Sequence, residues 1–215
     1  MVWPLWDPVV RVIHWYFPFA IAFMWWTGEQ GHYQWHSWVG YSLLVAAGTR
    51  VFWGLVGSEP ARFRSFLRGP ATIVAYLRGR VAAGEGHNPL GGWSVICLLL
   101  LILAQAGTGL FASDDILFEG PLAFWGGDWS GPLAQWHETN WLLLQGFILL
   151  HLGAIAFYHF RRREPLVRAM WLGQTDSRFS QTAPRSAWLG LLVAAGLAGL
   201  LYALVVMAPE APSCY

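Results

Sequence analysis

The sequence predicts an all-α integral membrane protein, a four-helix bundle with a fifth transmembrane helix appended. Three observations carry that expectation. The 215 residues are 56% hydrophobic and 12% charged, with a mean hydropathy of +0.42, a membrane balance rather than a soluble one. Five apolar runs are long enough for a ~30 Å hydrocarbon core, which takes about 20 helical residues. The basic residues, all of them arginine, gather between alternate runs.

The first run covers about 9–27. The preceding MVWPLWDPVVRVIHW has no basic n-region before the apolar stretch and no A-x-A-like site after it, so this helix is expected to stay in the mature chain. The second run covers 38–57. In the connection 58–92, PATIVAYLRGRVAAG repeats Ile73, Val74, Leu77 and Val81 at helical spacing beside arginines. That pattern predicts a short helix lying on the membrane surface. The third run is 93–112. The segment 113–136 is rich in Gly, Pro, Trp and Asp, which predicts an ordered cap with aromatic anchors rather than a helix. The fourth run is 138–160. The fifth, 187–208, carries small residues and no charge, as a packing or anchoring helix would. Residues 1–175 thus form one four-helix unit, and 176–215 add the fifth helix and a short tail.

Arg62, Arg64, Arg68, Arg78 and Arg80 lie between the second and third runs, and Arg161, Arg162, Arg163, Arg168, Arg178 and Arg185 between the fourth and fifth. The segments 28–37, 113–136 and 209–215 carry no basic residue and hold Glu29, Asp114, Asp115, Glu119, Asp128 and Glu210. Arginine-bearing loops stay inside, so the expected N-terminus is cytoplasmic and the C-terminus periplasmic. The net charge of +1 conceals this asymmetry, which concerns topology and membrane lipid and gives no reason to expect nucleic acid. Cys97 and Cys214 differ too much in depth to pair, and no C-x-x-C-H is present for covalent haem attachment.

Seven histidines remain to be placed: His14, His32, His36, His87, His137, His151 and His159. Fourteen helical residues turn through about 1400°, about 40° short of four turns, so His137 and His151 share a face about 21 Å apart along the axis. With the arginine-derived topology, His36 matches His137 in depth near the outer surface, and His14 matches His151 on the inner side. A pair of imidazoles facing across a bundle fills both axial positions of a haem iron, leaving a site that passes electrons without binding substrate. Interhelical hydrogen bonding by the same histidines is the alternative. Zinc fits less well, because only Glu138 accompanies the outer pair. His32, four residues before His36, is an alternative outer ligand; His159 reads as interfacial, and His87 as a plain structural residue of its loop before a loop-ordering or quinone-contacting one. Arg11 and Arg50 fall inside runs, where charges need partners. Either they pair with the propionates of an inner haem, or they snorkel to the surface. Gly40, one turn after His36, leaves room for a flat ring near the backbone.

The stretches WDPVVRVIHW, HSWVGYSLLVAAGTR, GHNPLGGWSV, DDILFEGPL, WHETNWLLLQGFILLHLGAIAFYH and EPLVRAMWLGQ resemble the bacterial cytochrome b561 family. That family lies within a wider group that includes the b-type cytochrome subunits of nickel–iron hydrogenases. GHNPLGG and the fourth-helix histidine pair are the more specific of these stretches, and the resemblance covers about residues 5–175. It implies a bacterial inner-membrane protein whose four-helix core holds two non-covalent haems b on His14, His36, His137 and His151, the positions that depth selects. It implies electron transfer between the quinone pool and a periplasmic partner, a c-type cytochrome or another redox protein. A superoxide:quinone oxidoreductase and an anchor for a hydrogenase-like complex are the alternative readings, so the sequence leaves open whether the chain is itself an enzyme. The absence of Arg and Lys from the outer segments counts against an entry for superoxide.

Overall fold

The computed structural model describes residues 3–80, 89–114, 116–175 and 185–209. His87, Asp115, Arg178, Glu210 and Cys214 lie outside them. The described residues contain five helices long and apolar enough to cross a membrane. These are Pro8–Glu29, Tyr33–Val56, Pro89–Phe111, Ser130–Phe157 and Ala187–Met207, called here the first to fifth helices.

The first helix begins where Asp7 caps it, its carboxylate accepting from the Val10 N–H at 3.0 Å, with Pro8 at the first position. A proline there gives up a donor that would lack a helical partner anyway. The second carboxylate oxygen of Asp7 accepts from Trp53 Nε1 at 2.8 Å. Trp53 is fully buried, so one acidic side chain both starts the first helix and fastens it to the last turns of the second. A strand pair closes over this corner: Trp3–Pro4 runs antiparallel to Gln174–Thr175, and the Gly173 carbonyl accepts from the Leu5 and Trp6 N–H groups at 2.8 and 3.2 Å. Gly173 sits at φ +72°, and a Cβ there would stand 2.7 Å from the Trp6 carbonyl oxygen. Only glycine suits both conditions.

The second helix starts at Tyr33 and the fourth at Ser130, each earlier than expected from hydropathy. Polar residues such as Gln34, Gln135, Glu138 and Thr139 lower the local average without breaking the helix, so the membrane-length runs understate it. The expectation of a non-helical cap over 113–136 is therefore corrected in part. Residues 130–136 belong to the fourth helix, and Ala123–Gly126 forms a helical turn before it. The rest is ordered by backbone bonds, Gly120 N–H to the Ala112 carbonyl at 2.7 Å and Leu122 N–H to the Leu110 carbonyl at 2.8 Å. Trp125, Trp129 and Trp136 are exposed, as interfacial anchors are. The surface helix appears as Pro70–Leu77. The fourth helix ends in a π-turn over Tyr158–Arg162, which carries an exposed His159.

Ala20, Met24, Leu43, Ala47, Leu99, Ile102 and Leu144 form the central core, with contributions from the first four helices. The first helix packs along the second, the second along the third, and the third along the fourth, while the first and fourth make almost no close backbone approach among the described residues. The fifth helix lies against the second. Small residues allow it: a Cβ on Gly48 would meet Leu197 at 3.1 Å, and one on Gly190 would meet Val9 at 2.8 Å. Its other face, including Leu191, Leu192, Tyr202 and Val206, is left to lipid.

Two outcomes follow. Asp7→Ala removes a helix cap and orphans a buried indole N–H, so a loss of about 3 kcal/mol is expected in thermal unfolding of the detergent-solubilised protein, against a smaller loss for Trp53→Phe. Equal losses would mean that the cap contributes nothing. At the other end, bonds from the Phe118, Ile116 and Leu117 N–H groups hold the exposed Asp114 carboxyl below its usual range. These bonds order the loop above the unfolded pKa of about 4 and are lost as pH falls through the lower folded value. Limited proteolysis at 113–121 should therefore accelerate only in acid, and Asp114→Ala should show the acid rate at neutral pH.

Candidate functional site

The fourth helix carries His137 and His151, about 21 Å apart along its axis and about 40° apart around it. The second helix brings His36 to His137: the ring centroids are 6.2 Å apart and the planes cross at 66°. His32 caps the start of the second helix, exposed, with its ring 5.5 Å from Trp26. Of the two, His36 turns inward toward His137, and His32 stays exposed beside Trp26.

The 6.2 Å spacing is too long for a direct hydrogen bond between the two rings. A direct N–H···N bond of about 2.9 Å, with each ring centre about 1.1 Å behind its nitrogen, would bring the centroids to about 5.1 Å. Two metal–nitrogen bonds of about 2.0 Å in line put them at about 6.2 Å. The 6.2 Å separation exceeds that of a directly bonded imidazole pair and equals the span that two metal–nitrogen bonds in line would need. Each has its Nδ1 engaged elsewhere, His36 with the Met24 carbonyl at 2.9 Å and His137 with Thr108 Oγ1 at 3.2 Å. Those acceptors leave Nε2 as the free lone pair, the arrangement that ligating histidines require.

A cavity of about 350 Å³ opens on this pair, lined by Met24, Gly28, Gly40, Ala106 and Gly109 among others. A Cβ at Gly40 would meet the Met24 methyl at 3.2 Å, and one at Gly109 would stand 2.9 Å from the His137 ring. Side chains at either position would fill the cavity or displace the imidazole. The lining also includes Glu29, Asp114 and Glu138, and no three His, Cys, Asp or Glu side chains among the described residues converge as a metal cluster. A tetrahedral zinc site has no support in that geometry.

The other histidine level is built differently. His14 on the first helix and His151 on the fourth lie within electrostatic reach of one another, as do His14 and Arg50. These two helices meet through side chains rather than by close backbone approach. His14 Nδ1 is buried without a hydrogen-bond partner, and so is one terminal nitrogen of Arg50. Arg50 is only 6% exposed, lies over the Phe63 ring at 5.3 Å and feels the Asp7 carboxylate. It does not snorkel, and a buried guanidinium with an unmet donor calls for an anion. Arg11 donates to the Trp171 carbonyl and keeps its Nε buried and unpaired.

The residues present therefore fit a haem at each level: paired imidazoles, glycine clearance at one level, and a buried cationic donor at the other. The polar contacts that orient the rings, from Thr108 and the Met24 carbonyl, were not anticipated from sequence. A hydroxyl three residues before a histidine's facing turn leaves no pattern along the chain, because the partners are 29 and 12 positions apart.

No curated protein and no solved structure matches the chain. A family model for prokaryotic cytochrome b561 matches residues 5–173, from the segment that closes over the first helix to the glycine that receives it. With haem-competent histidine pairs inside a multi-pass helical bundle, the match decides the matter: the chain belongs to the prokaryotic cytochrome b561 family, haem b-binding membrane proteins of transmembrane electron transfer.

Proposed function

We propose that residues 1–175 hold two haems b, an outer one on His36 and His137 and an inner one on His14 and His151, and that the chain passes electrons between a periplasmic redox partner and the membrane quinone pool. The 6.2 Å separation of the His36 and His137 rings is the observation that carries this reading. When bound, a bis-histidine haem supplies a one-electron couple with no open coordination position. The chain's own residues then do the rest. His36 and His137 present Nε2 because their Nδ1 atoms are held by Met24 and Thr108. Gly40 and Gly109 keep the ring space clear. Arg50, with Arg11 nearer the surface, offers donors to the carboxylates of the inner group. The apolar core between the two levels excludes water, which favours electron passage over proton leakage.

In this reading the arginine-rich end faces the cytoplasm and the C-terminus the periplasm. The carboxylates of Glu29, Asp114 and Glu138 around the outer cavity repel an anion and favour a partner with a basic face, such as a c-type cytochrome. That lining speaks against superoxide as the reductant.

Haem content per purified chain, read as the pyridine haemochrome with reduced-minus-oxidised spectra, tests the assignment. The unaltered chain should carry two haems b. His36→Ala and His137→Ala should each lose the same one, His14→Ala and His151→Ala the other, and His32→Ala neither. Loss of haem in His32→Ala with retention in His36→Ala would reassign the outer ligand, and a chain purified without haem would end the proposal.

A further inference from the structure

We propose that the third helix, which contributes no histidine, is the template that orients His137, with Thr108 as the positioning residue through which the outer haem is tuned. This rests on the reading of His137 as a ligand. The third and fourth helices form the most intimate pair in the bundle, and polar side chains fix their register: Asn140 Nδ2 donates to Gln105 Oε1 at 2.6 Å and to the Leu101 carbonyl at 3.0 Å. Gln105 is buried, so in an apolar bundle a slipped register would leave its amide unpaired. Asn140 is three residues past His137 and Gln105 three before Thr108. The bond that locks the helices therefore lies one turn from the imidazole on both sides.

At that turn Thr108 Oγ1 donates to the Ala104 carbonyl at 2.7 Å or the Gln105 carbonyl at 3.1 Å. Its proton thus committed, Oγ1 can only accept from His137, whose Nδ1 lies 3.2 Å away. The bond assigns the tautomer, Nδ1 protonated and Nε2 free, and it makes the imidazole more basic. Gly109, the next residue, supplies clearance: its Cβ would stand 2.9 Å from the ring. His36 differs. Its Nδ1 bonds the Met24 carbonyl at 2.9 Å, with Thr27 Oγ1 at 3.5 Å, and a carbonyl cannot be removed by substitution. Thr108 is accordingly the side chain by which the outer ligand set can be adjusted.

A more basic axial ligand favours the oxidised iron, so losing the hydroxyl should raise the potential of the outer haem alone. The experiment measures the midpoint potentials and low-temperature EPR of the haem-loaded full chain for Thr108→Val, Thr108→Ser and His137→Ala. His137→Ala should remove one haem and so identify the outer signal; retention of both would overturn the ligand reading and this inference with it. Thr108→Val should move the outer haem about threefold to tenfold toward reduction, about 30–60 mV for one electron, shift its EPR signal and leave the inner haem unchanged. Thr108→Ser should restore the original values. Loss of the outer haem in Thr108→Val with retention in Thr108→Ser would support the same role. With His137→Ala losing a haem as expected, an unchanged outer potential in Thr108→Val, or equal loss in both threonine variants, would overturn the inference while leaving His137 a ligand.

Discussion

The separation between the His36 and His137 rings is the constraint on which the rest of the molecule turns. Two imidazoles in an apolar bundle lower their free energy by bonding to each other or to something between them. At 6.2 Å they are too far apart for the first, and the second is what the proposed outer haem would supply. Holding that gap takes rigidity on both sides. Helices that could slide would close it, and the contacts around it prevent sliding.

Those contacts divide the bundle into two fastened pairs. Asp7 ties the first helix to the second through Trp53, and Asn140 ties the third to the fourth through Gln105. The second and third helices pack together and join the pairs, whereas the first and fourth meet through side chains such as Trp25 and Trp141 rather than by close backbone approach. His14 and His151 belong to those two helices, and the outer histidines lie at the opposite end of the fourth helix. Fourteen residues of one helix set the distance between His137 and His151, so the two proposed sites would share one rail. Among the described residues, the buried side-chain nitrogens without a partner belong to Arg11, His14, Trp15 and Arg50, all near the His14 level. Under the proposed assignment the two levels would hold their groups differently, the outer by orienting hydrogen bonds and the inner by charge.

Much of this was legible from the chain itself. The five spans followed from hydropathy, and the family from short stretches that lie almost wholly within the matched 5–173. The helix starts at Tyr33 and Ser130 were not legible, because amphipathic first turns average out as polar. Depth alone could not separate His36 from His32 either, since the two lie one turn apart at the membrane edge. What decides is which face the second helix turns to the fourth, a packing outcome. The same holds for Thr108, Gly109 and the Gln105–Asn140 bond. Each makes sense only once the third helix lies beside the fourth, and no periodicity in the sequence marks them.

The central claim is that both irons would be axially ligated by two imidazoles from this chain. Low-temperature EPR of the oxidised, purified protein tests it most directly, because axial ligation sets the spin state. Two low-spin ferric signals in equal amount are expected. A high-spin signal, or a single low-spin species, would contradict the account.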